Sequence, residues 1–288
     1  MSVPARLLAF GGLLAAIFAV ALVAGGIADP ESGTDKPGAA HAEAASMPHA
    51  EAEGESHGAT GGPPPGLAVS DAGYTLDLAT RSLARGRTGE LRFRILGPDG
   101  RAVRDFEVEH TRRMHLILAR TDLSGFQHLH PRMDADGTWS TPVRLPDAGG
   151  YRVFADFRAA GAKRTLAANL PVAGPFAARP LPAPAPLART GGYAVRLTSG
   201  PLRAGRESEL RFAVTRGGRS VTPEPYLGAR GHLVALREGD LAFLHVHPDA
   251  DRLAFGAEFP TAGRYRLFLQ FRAGGTINTV AFTVEVTR

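Results

Sequence analysis

The sequence predicts an all-β protein in which two tandem β-sandwiches follow an apolar N-terminal segment and a disordered tether. Apolar and polar residues alternate with a period of two, as in residues 90–95 (ELRFRI), which is typical of a strand with one buried face. The 288 residues include 35 glycines and 22 prolines, a turn-forming composition that is typical of all-β folds. Beyond the N-terminus, no segment combines helix caps with a helical period.

Residues 1–28 predict either a membrane-spanning signal anchor or a cleaved signal peptide. An uncharged apolar run follows Arg6 and covers residues 7–28, and at ~1.5 Å per residue it is long enough to cross a hydrocarbon core of ~30 Å. Gly26 and Ala28 are small enough for a signal-peptidase site, so both alternatives stay open. Because Arg6 precedes the run and acids follow it, the later domains are expected outside the cytoplasm, held at the cell membrane by one span or secreted.

Charge and cysteine content exclude several classes of function. The sequence contains no cysteine, which excludes a disulfide scaffold, thiolate metal ligands and a cysteine nucleophile. The formal net charge is +5, but the arginines are scattered among acidic residues, so we predict a solvated surface and no nucleic-acid binding. No phosphate-binding loop, nucleotide fingerprint or nucleophile motif is present. We therefore predict that the protein is not an enzyme.

Residues 29–66 predict a disordered tether because they lack the large apolar side chains that form a core. The tether contains His41, His49 and His57 among several glutamates. Flexible tracts of this composition can collect metal ions from solution at low affinity. The alternative is a hydrophilic spacer with incidental histidines.

The rest of the chain is an internal duplication. Residues 86–93 (GRTGELRF) match residues 205–212 (GRESELRF), and residues 146–152 (PDAGGYR) match residues 260–266 (PTAGRYR). The matches follow the same order in both copies, which indicates two copies of one domain. Each copy holds about 100 residues and about seven short strands, which predicts an immunoglobulin-like sandwich. A cupredoxin-like sandwich would show the same pattern, so the two topologies stay open.

The copies define the predicted domain boundaries. We place the first sandwich at residues 67–173 and the second at residues 191–288. Between them, residues 174–190 are rich in proline and alanine, which favours an extended and semi-rigid linker.

Most of the histidines belong to one pattern that occurs once in each copy. Residues 114–131 (MHLILARTDLSGFQHLHP) and residues 231–248 (GHLVALREGDLAFLHVHP) each place one histidine before an apolar run, a polar turn and a His-x-His-Pro sequence. The period of two puts both histidines of His-x-His on one face of a strand. The short turn is expected to fold this strand back beside the first, bringing the lone histidine to the pair.

Three converging imidazoles would form a first shell for Cu(II), Zn(II) or Ni(II). The predicted ligands are His115, His128 and His130 in the first copy and His232, His245 and His247 in the second. The first copy adds three weaker candidates, Glu109, His110 and Met114, of which the methionine would suit Cu(I). The alternative interpretation is that these histidines are buried strand-corner residues that preserve the fold.

The motif also carries a resemblance to known proteins. Residues 114–117 (MHLI) and 128–131 (HLHP), with the second-copy residues 228–248, resemble exported bacterial proteins with YtkA-like and copper-associated, cupredoxin-like domains. The resemblance covers both copies but neither the tether nor the N-terminal segment. It implies an association with copper or another heavy metal without defining a reaction.

The sequence therefore predicts a membrane-tethered, extracytoplasmic protein that captures or buffers a heavy metal, copper first, with one three-histidine cluster per repeat. Its expected partners are the metal ion and the membrane that receives the N-terminal helix, and the sequence identifies no protein partner. The alternative function is a non-catalytic structural or interaction ectodomain whose histidines are core residues.

Overall fold

The computed structural model describes residues 64–244 and 246–288, and this part of the chain contains nineteen β-strands and no helix. The predicted all-β class and the two repeats are confirmed. In the described residues no helix offers the length and apolar character that a membrane span requires. The predicted N-terminal segment, most of the tether and His245 lie outside the described residues.

The first repeat folds into two antiparallel sheets. Its strands are β1 Ser70–Asp71, β2 Tyr74–Leu78, β3 Thr88–Leu96, β4 His115–Arg120, β5 Gln127–Leu129, β6 Arg132–Met133, β7 Trp139–Arg144, β8 Gly149–Ala159 and β9 Ala162–Val172. The outer sheet has the order β1-β2-β3-β7-β6, and the inner sheet has the order β5-β4-β8-β9. The strict alternation of buried and exposed residues in β3 matches its sequence pattern, because one face of this outer sheet meets solvent.

The second repeat has the same arrangement. Its strands are β10 Leu187–Thr190, β11 Tyr193–Thr198, β12 Glu207–Arg216, β13 Arg219–Val221, β14 His232–Arg237, β15 Phe243–Leu244, β16 His247–Pro248, β17 Ala254–Glu258, β18 Gly263–Ala273 and β19 Thr276–Val286. The outer sheet has the order β10-β11-β12-β17-β16, with β13 paired to β12, and the inner sheet has the order β15-β14-β18-β19.

Each repeat encloses its own apolar core between its two sheets. In the first repeat, Phe93 of β3 and Leu116 of β4 are fully buried in one cluster with Trp139. In the second, Phe212 of β12 and Leu233 of β14 belong to the corresponding cluster. Both repeats are therefore β-sandwiches, each with a separate core.

A tyrosine fixes the corner before the long strand of each inner sheet. The hydroxyl of Tyr151 donates a hydrogen bond to the carbonyl oxygen of Asp147 at 3.2 Å, and the hydroxyl of Tyr265 donates one to the carbonyl oxygen of Thr261 at 2.9 Å. Both tyrosine rings are buried. This shared corner explains why the sequences PDAGGYR and PTAGRYR recur at matched places.

The two inner sheets pack against each other through a third apolar cluster. This interface cluster consists of Ile117, Ala119, Leu123, Phe154, Ala167, Val234, Leu236, Leu241, Phe243 and Phe268. Strand β4 is buried on both faces because its alternate residues enter the first core and the interface cluster. Phe126, which packs against this cluster, stacks on Phe268 with ring centroids 4.1 Å apart. The second face of β4 and of β14 is thus covered by the other repeat.

The segments that flank the first repeat are bound to the sandwiches. At the end of the predicted tether, the backbone amide of Gly66 donates a hydrogen bond to the carbonyl oxygen of Thr165. The backbone amide of Phe243 donates one to the carbonyl oxygen of Pro65. In the predicted linker, the amide of Arg179 donates to the carboxylate of Asp122, and the last four linker residues form strand β10.

We expect Gly231→Ala to destabilise the protein, because a Cβ atom at Gly231 would lie 2.5 Å from Leu253 Cδ1 and 2.8 Å from the backbone oxygen of Gln270. Overpacking of this kind costs about 1–3 kcal/mol of the free energy of unfolding. The control is Gly200→Ala, where a Cβ atom would meet open space, with an expected change within about 0.5 kcal/mol. Urea denaturation measures both, and equal stability of the two variants would contradict the prediction.

Candidate metal centre

The first repeat brings its three predicted histidines together. Strand β5 pairs with β4 in antiparallel register, with His128 opposite Ile117. Because side chains alternate along a strand, His115 shares the face of Ile117, and His130 shares the face of His128. All three imidazoles therefore face the interface side of the inner sheet. The convergence predicted for the first copy is confirmed.

The polar turn between the two strands is built from its own side chains. Asp122 accepts hydrogen bonds from the Arg120 guanidinium and from the hydroxyl of Ser124. Arg120 also donates to the carbonyl oxygen of Ala148 at 3.1 Å. These bonds tie the turn to the neighbouring strand and fix how β5 returns beside β4.

The histidine trio has the spacing of a metal site. One nitrogen each from His115, His128 and His130 lies within 4.8 Å of the others. Nδ1 of His115 and Nε2 of His128 are 3.0 Å apart. Imidazole nitrogens bind first-row divalent metals at about 2.0–2.1 Å. Two nitrogens that bind the same ion therefore lie near the 3.0 Å that separates these two.

The outward-facing nitrogens of two rings are held by oxygen acceptors. Nε2 of His115 is 3.1 Å from the carbonyl oxygen of Glu109, which can only accept. Nδ1 of His128 is 2.7 Å from Oε1 of Gln270, whose Nε2 donates to Oγ1 of Thr279 at 3.1 Å. A neutral imidazole has one N–H, which in His115 donates to the oxygen of Glu109 and in His128 donates to the oxygen of Gln270. With this orientation of the Gln270 amide, the lone pairs of His115 Nδ1 and His128 Nε2 face each other, an arrangement that a bound cation would stabilise.

Burial disfavours protonation of the rings. Desolvation, with the neighbouring His115 and His130, lowers the pKa of His128 to about 3. Desolvation likewise lowers the pKa of His130 to about 4 and lowers the pKa of His115. The rings are therefore neutral at pH 7, which is the form that binds metal ions.

The third ring supplies a further donor atom. Nε2 of His130 is buried and has no hydrogen-bond partner among residues 64–244 and 246–288. Buried polar atoms are rarely left in this state, and a bound ion is one of the few explanations. The ring centroid of His130 is 4.7 Å from that of His128 and 5.2 Å from that of His115.

The additional candidates of the first copy have other positions. The carboxylate of Glu109 forms an ion pair with Lys163 at 3.2 Å, and its backbone oxygen supports His115. His110 lies near the trio, with its ring centroid 6.1 Å from that of His115. Met114 is fully buried in the first core. Glu109 therefore contacts the trio through its backbone oxygen, which accepts a hydrogen bond from His115, and not through its carboxylate.

A strained turn presents the carbonyl oxygen of Glu109. His110 and Thr111 have backbone φ values of 46° and 67°, in a region that residues other than glycine rarely adopt. Reciprocal backbone hydrogen bonds between Glu109 and Arg112 close this turn. Strain of this kind costs about 1–3 kcal/mol per residue and persists where the surrounding structure holds it, frequently at functional sites.

The histidines of the second copy occupy different environments. His232 is half-buried, and its ring stacks on His115 and His128 with centroid distances of 5.5 and 4.5 Å. His247 is exposed on β16 of the outer sheet. Within the described part of the chain, no second group of three metal-ligating side chains forms. Among the described residues the predicted cluster is therefore seen in the first repeat, with His232 beside it. The second predicted cluster includes His245, which lies outside the described residues, so its convergence stays a prediction.

Sequence reasoning missed Gln270, a residue of the second repeat whose side-chain oxygen lies 2.7 Å from Nδ1 of His128. A signal for it exists: a single polar residue interrupts the apolar part of β18, and Asp156 stands at the matched position of β8. Both are buried, and each bonds to a threonine of the next strand, Thr279 or Thr165.

Comparison with known proteins identifies related domains. A family model described as a domain of unknown function (DUF8832) matches residues 68–174 and residues 188–288. No curated protein matches the chain.

Solved structures show only distant similarity. FdeC, an Escherichia coli adhesin, is 15% identical over 76% of this chain and 65% of its own, less than two thirds, with a TM-score of 0.28. A chimeric titin Z1Z2-Z1Z2 tandem is 15% identical over 74% of this chain and 99% of its own, with a TM-score of 0.19. At these scores the similarity carries no conclusion about function.

Acidification is expected to destabilise the metal-free protein. The pKa values of His128 and His130 in the folded state, about 3 and about 4, lie below the ordinary histidine value of 6.5. The unfolded chain therefore binds more protons than the folded protein. The contribution of the neutral histidines to the free energy of unfolding is fully present above pH 6.5 and is lost as the pH falls toward the folded-state values. Urea denaturation between pH 7.5 and pH 5 measures the effect. The His130→Leu variant is expected to show a shallower dependence, and an unchanged dependence would contradict this assignment.

Proposed function

The chain belongs to the family of domains of unknown function DUF8832, and we propose that its two copies form a non-catalytic module that retains one transition-metal ion at His115, His128 and His130. One observation carries the proposal. Two neutral rings turn their lone pairs toward each other at 3.0 Å because oxygen acceptors claim their only N–H groups. A coordinated cation relieves this repulsion.

The surroundings of the rings support coordination. A metal-bound histidine typically donates its other N–H to a backbone carbonyl or a side-chain oxygen, and His115 and His128 have such partners in Glu109 and Gln270. With no cysteine in the chain, the donor set is three imidazoles, which suit Cu(II), Zn(II) and Ni(II). We propose copper as the first candidate because Cu(II) has the highest affinity among the divalent first-row metals. The resemblance of the histidine motif to copper-associated domains also favours copper.

The position of the site favours retention of the ion over rapid exchange. His115 is 2% exposed, His128 and His130 are half-buried, and His232 of the second repeat stacks on the rings of His115 and His128. An ion bound there leaves only when the rings or the repeats move. We therefore propose a structural ion that strengthens the contact between the repeats, and we do not retain the role in capture or buffering.

The second candidate is a structural or interaction module whose histidines act without metal. The interface cluster favours it, because ten apolar residues join the inner sheets without any ion. The stacking of His232 on His128 adds a contact of the same kind. The two candidates differ in one measurable respect: only the first predicts that a chelator lowers the melting temperature of the purified protein.

We also propose that both sandwiches are immunoglobulin-like and not cupredoxin-like. The orders β2-β3-β7-β6 and β5-β4-β8-β9 correspond to strands A-B-E-D and C′-C-F-G of the immunoglobulin fold. The corner made by Tyr151 and by Tyr265 stands where that fold has its tyrosine corner. The proposal also retains the expectation that residues 1–28 place the module outside the cytoplasm, at the membrane or secreted.

We expect the full chain to bind one Cu(II) or Zn(II) ion at the trio, and His130→Ala to weaken this binding at least tenfold because it removes a ligand. Competition with a chromophoric chelator measures the affinity. To remove background binding, His41, His49 and His57 are replaced by alanine in every protein compared.

The matched control is His247→Ala, which removes an exposed histidine of the second repeat. It is expected to leave the affinity unchanged. Equal affinities of the His130→Ala variant and the parent protein would reject the trio as the binding site.

A further inference from the structure

We propose that Gln270 is a positioning residue that selects the tautomer of His128, and that the metal site in the first repeat therefore depends on the second repeat. The inference rests on the proposed function and deepens it. Gln270 lies on β18 of the second repeat, is 6% exposed, and is hydrogen-bonded to His128 of the trio.

The side-chain amide of Gln270 has a defined orientation. Its nitrogen donates to Oγ1 of Thr279 at 3.1 Å, and its Oε1 lies 2.7 Å from Nδ1 of His128. An oxygen at this place can only accept, so it selects the tautomer of His128 that carries the proton on Nδ1. The lone pair on Nε2 is then directed at His115.

Rotation of the amide by half a turn would reverse this arrangement. The amide nitrogen would donate to Nδ1 of His128, and the ring proton would move to Nε2. His128 could then donate to Nδ1 of His115, which still donates from Nε2 to the carbonyl oxygen of Glu109. With the Thr279 hydroxyl donating to Oε1, the hydrogen bonds among these groups would be made, and neither His115 nor His128 would have a lone pair free for a metal ion.

Gln270 therefore decides between two states of the same rings. With oxygen toward His128 the trio is ready to bind a cation, and with nitrogen toward His128 it is a closed hydrogen-bonded network. The structure has the first orientation, with the amide nitrogen donating to the hydroxyl of Thr279. Because both residues belong to the inner sheet of the second repeat, separation of the repeats would remove the control of the tautomer.

Two substitutions distinguish positioning from packing. Gln270→Glu supplies only acceptor oxygens and preserves the tautomer with the proton on Nδ1, so metal affinity is expected to equal or exceed that of the wild type. Gln270→Met has a similar volume but no hydrogen-bonding amide, and affinity is expected to fall about tenfold or more. If Gln270 merely filled space, the buried carboxylate would be the more damaging change and methionine the milder one.

The matched control is Gln127→Met. Gln127 is next to His128 in the chain, but its side chain donates to the carbonyl oxygen of Arg144 at 2.9 Å. This variant is expected to bind metal with the affinity of the wild type. Circular dichroism melting of each metal-free protein separates a change of affinity from a loss of folding.

The experiment measures Zn(II) affinity and, in the metal-free full chain, the ¹⁵N chemical shifts of the His128 ring. The expected result is a proton on Nδ1 of His128 in the wild type and in Gln270→Glu, and a shift toward Nε2 in Gln270→Met. A proton on Nε2 in the wild type, or equal affinities of the wild type and Gln270→Met, would overturn the inference. A wild type that binds no Zn(II) or Cu(II) but keeps the proton on Nδ1 would reject the proposed function and leave the positioning role supported.

Discussion

The apolar contact between the two inner sheets is the constraint on which the rest of the structure depends. It buries the second face of β4 and of β14, so that His115 is almost fully buried and His232 is half-buried. Burial keeps the rings of His115, His128 and His130 neutral, because a charged imidazole would lose its hydration without an opposing charge. Neutral rings in turn have only one N–H each, and the positions of the acceptors around them decide which lone pairs are available.

The duplication produced two unequal copies around this contact. The first copy gathers three histidines, while the second contributes the amide of Gln270 and the stacked ring of His232. Gly231 shows how the copies diverged: Met114 at the matched position fills the first core, whereas Leu253 and the backbone of Gln270 occupy the corresponding space in the second. The histidine cluster of the first copy is therefore in contact with two residues of the second, Gln270 and His232.

The sequence predicted the features that depend on local chemistry. The period of two predicted the strands, the repeat predicted two equivalent sandwiches, and the short turn after β4 predicted that His128 and His130 would meet His115. It did not predict that the cluster lies between the repeats, because docking of two sheets depends on contacts between residues far apart in the chain. The run that is apolar on both faces of β4 carried this information, but a second buried face has no pattern that identifies its partner. Gln270 was missed for the same reason.

The central claim is that one metal ion binds at the first-repeat histidines, beneath the second repeat. The most direct measurement is X-ray diffraction from crystals of the zinc-loaded protein, with data collected on both sides of the zinc absorption edge. The account predicts one strong anomalous peak per chain, about 2.0–2.1 Å from Nδ1 of His115, Nε2 of His128 and Nε2 of His130. The absence of a peak there, or a principal peak at His247 on the outer sheet of the second repeat, would contradict it.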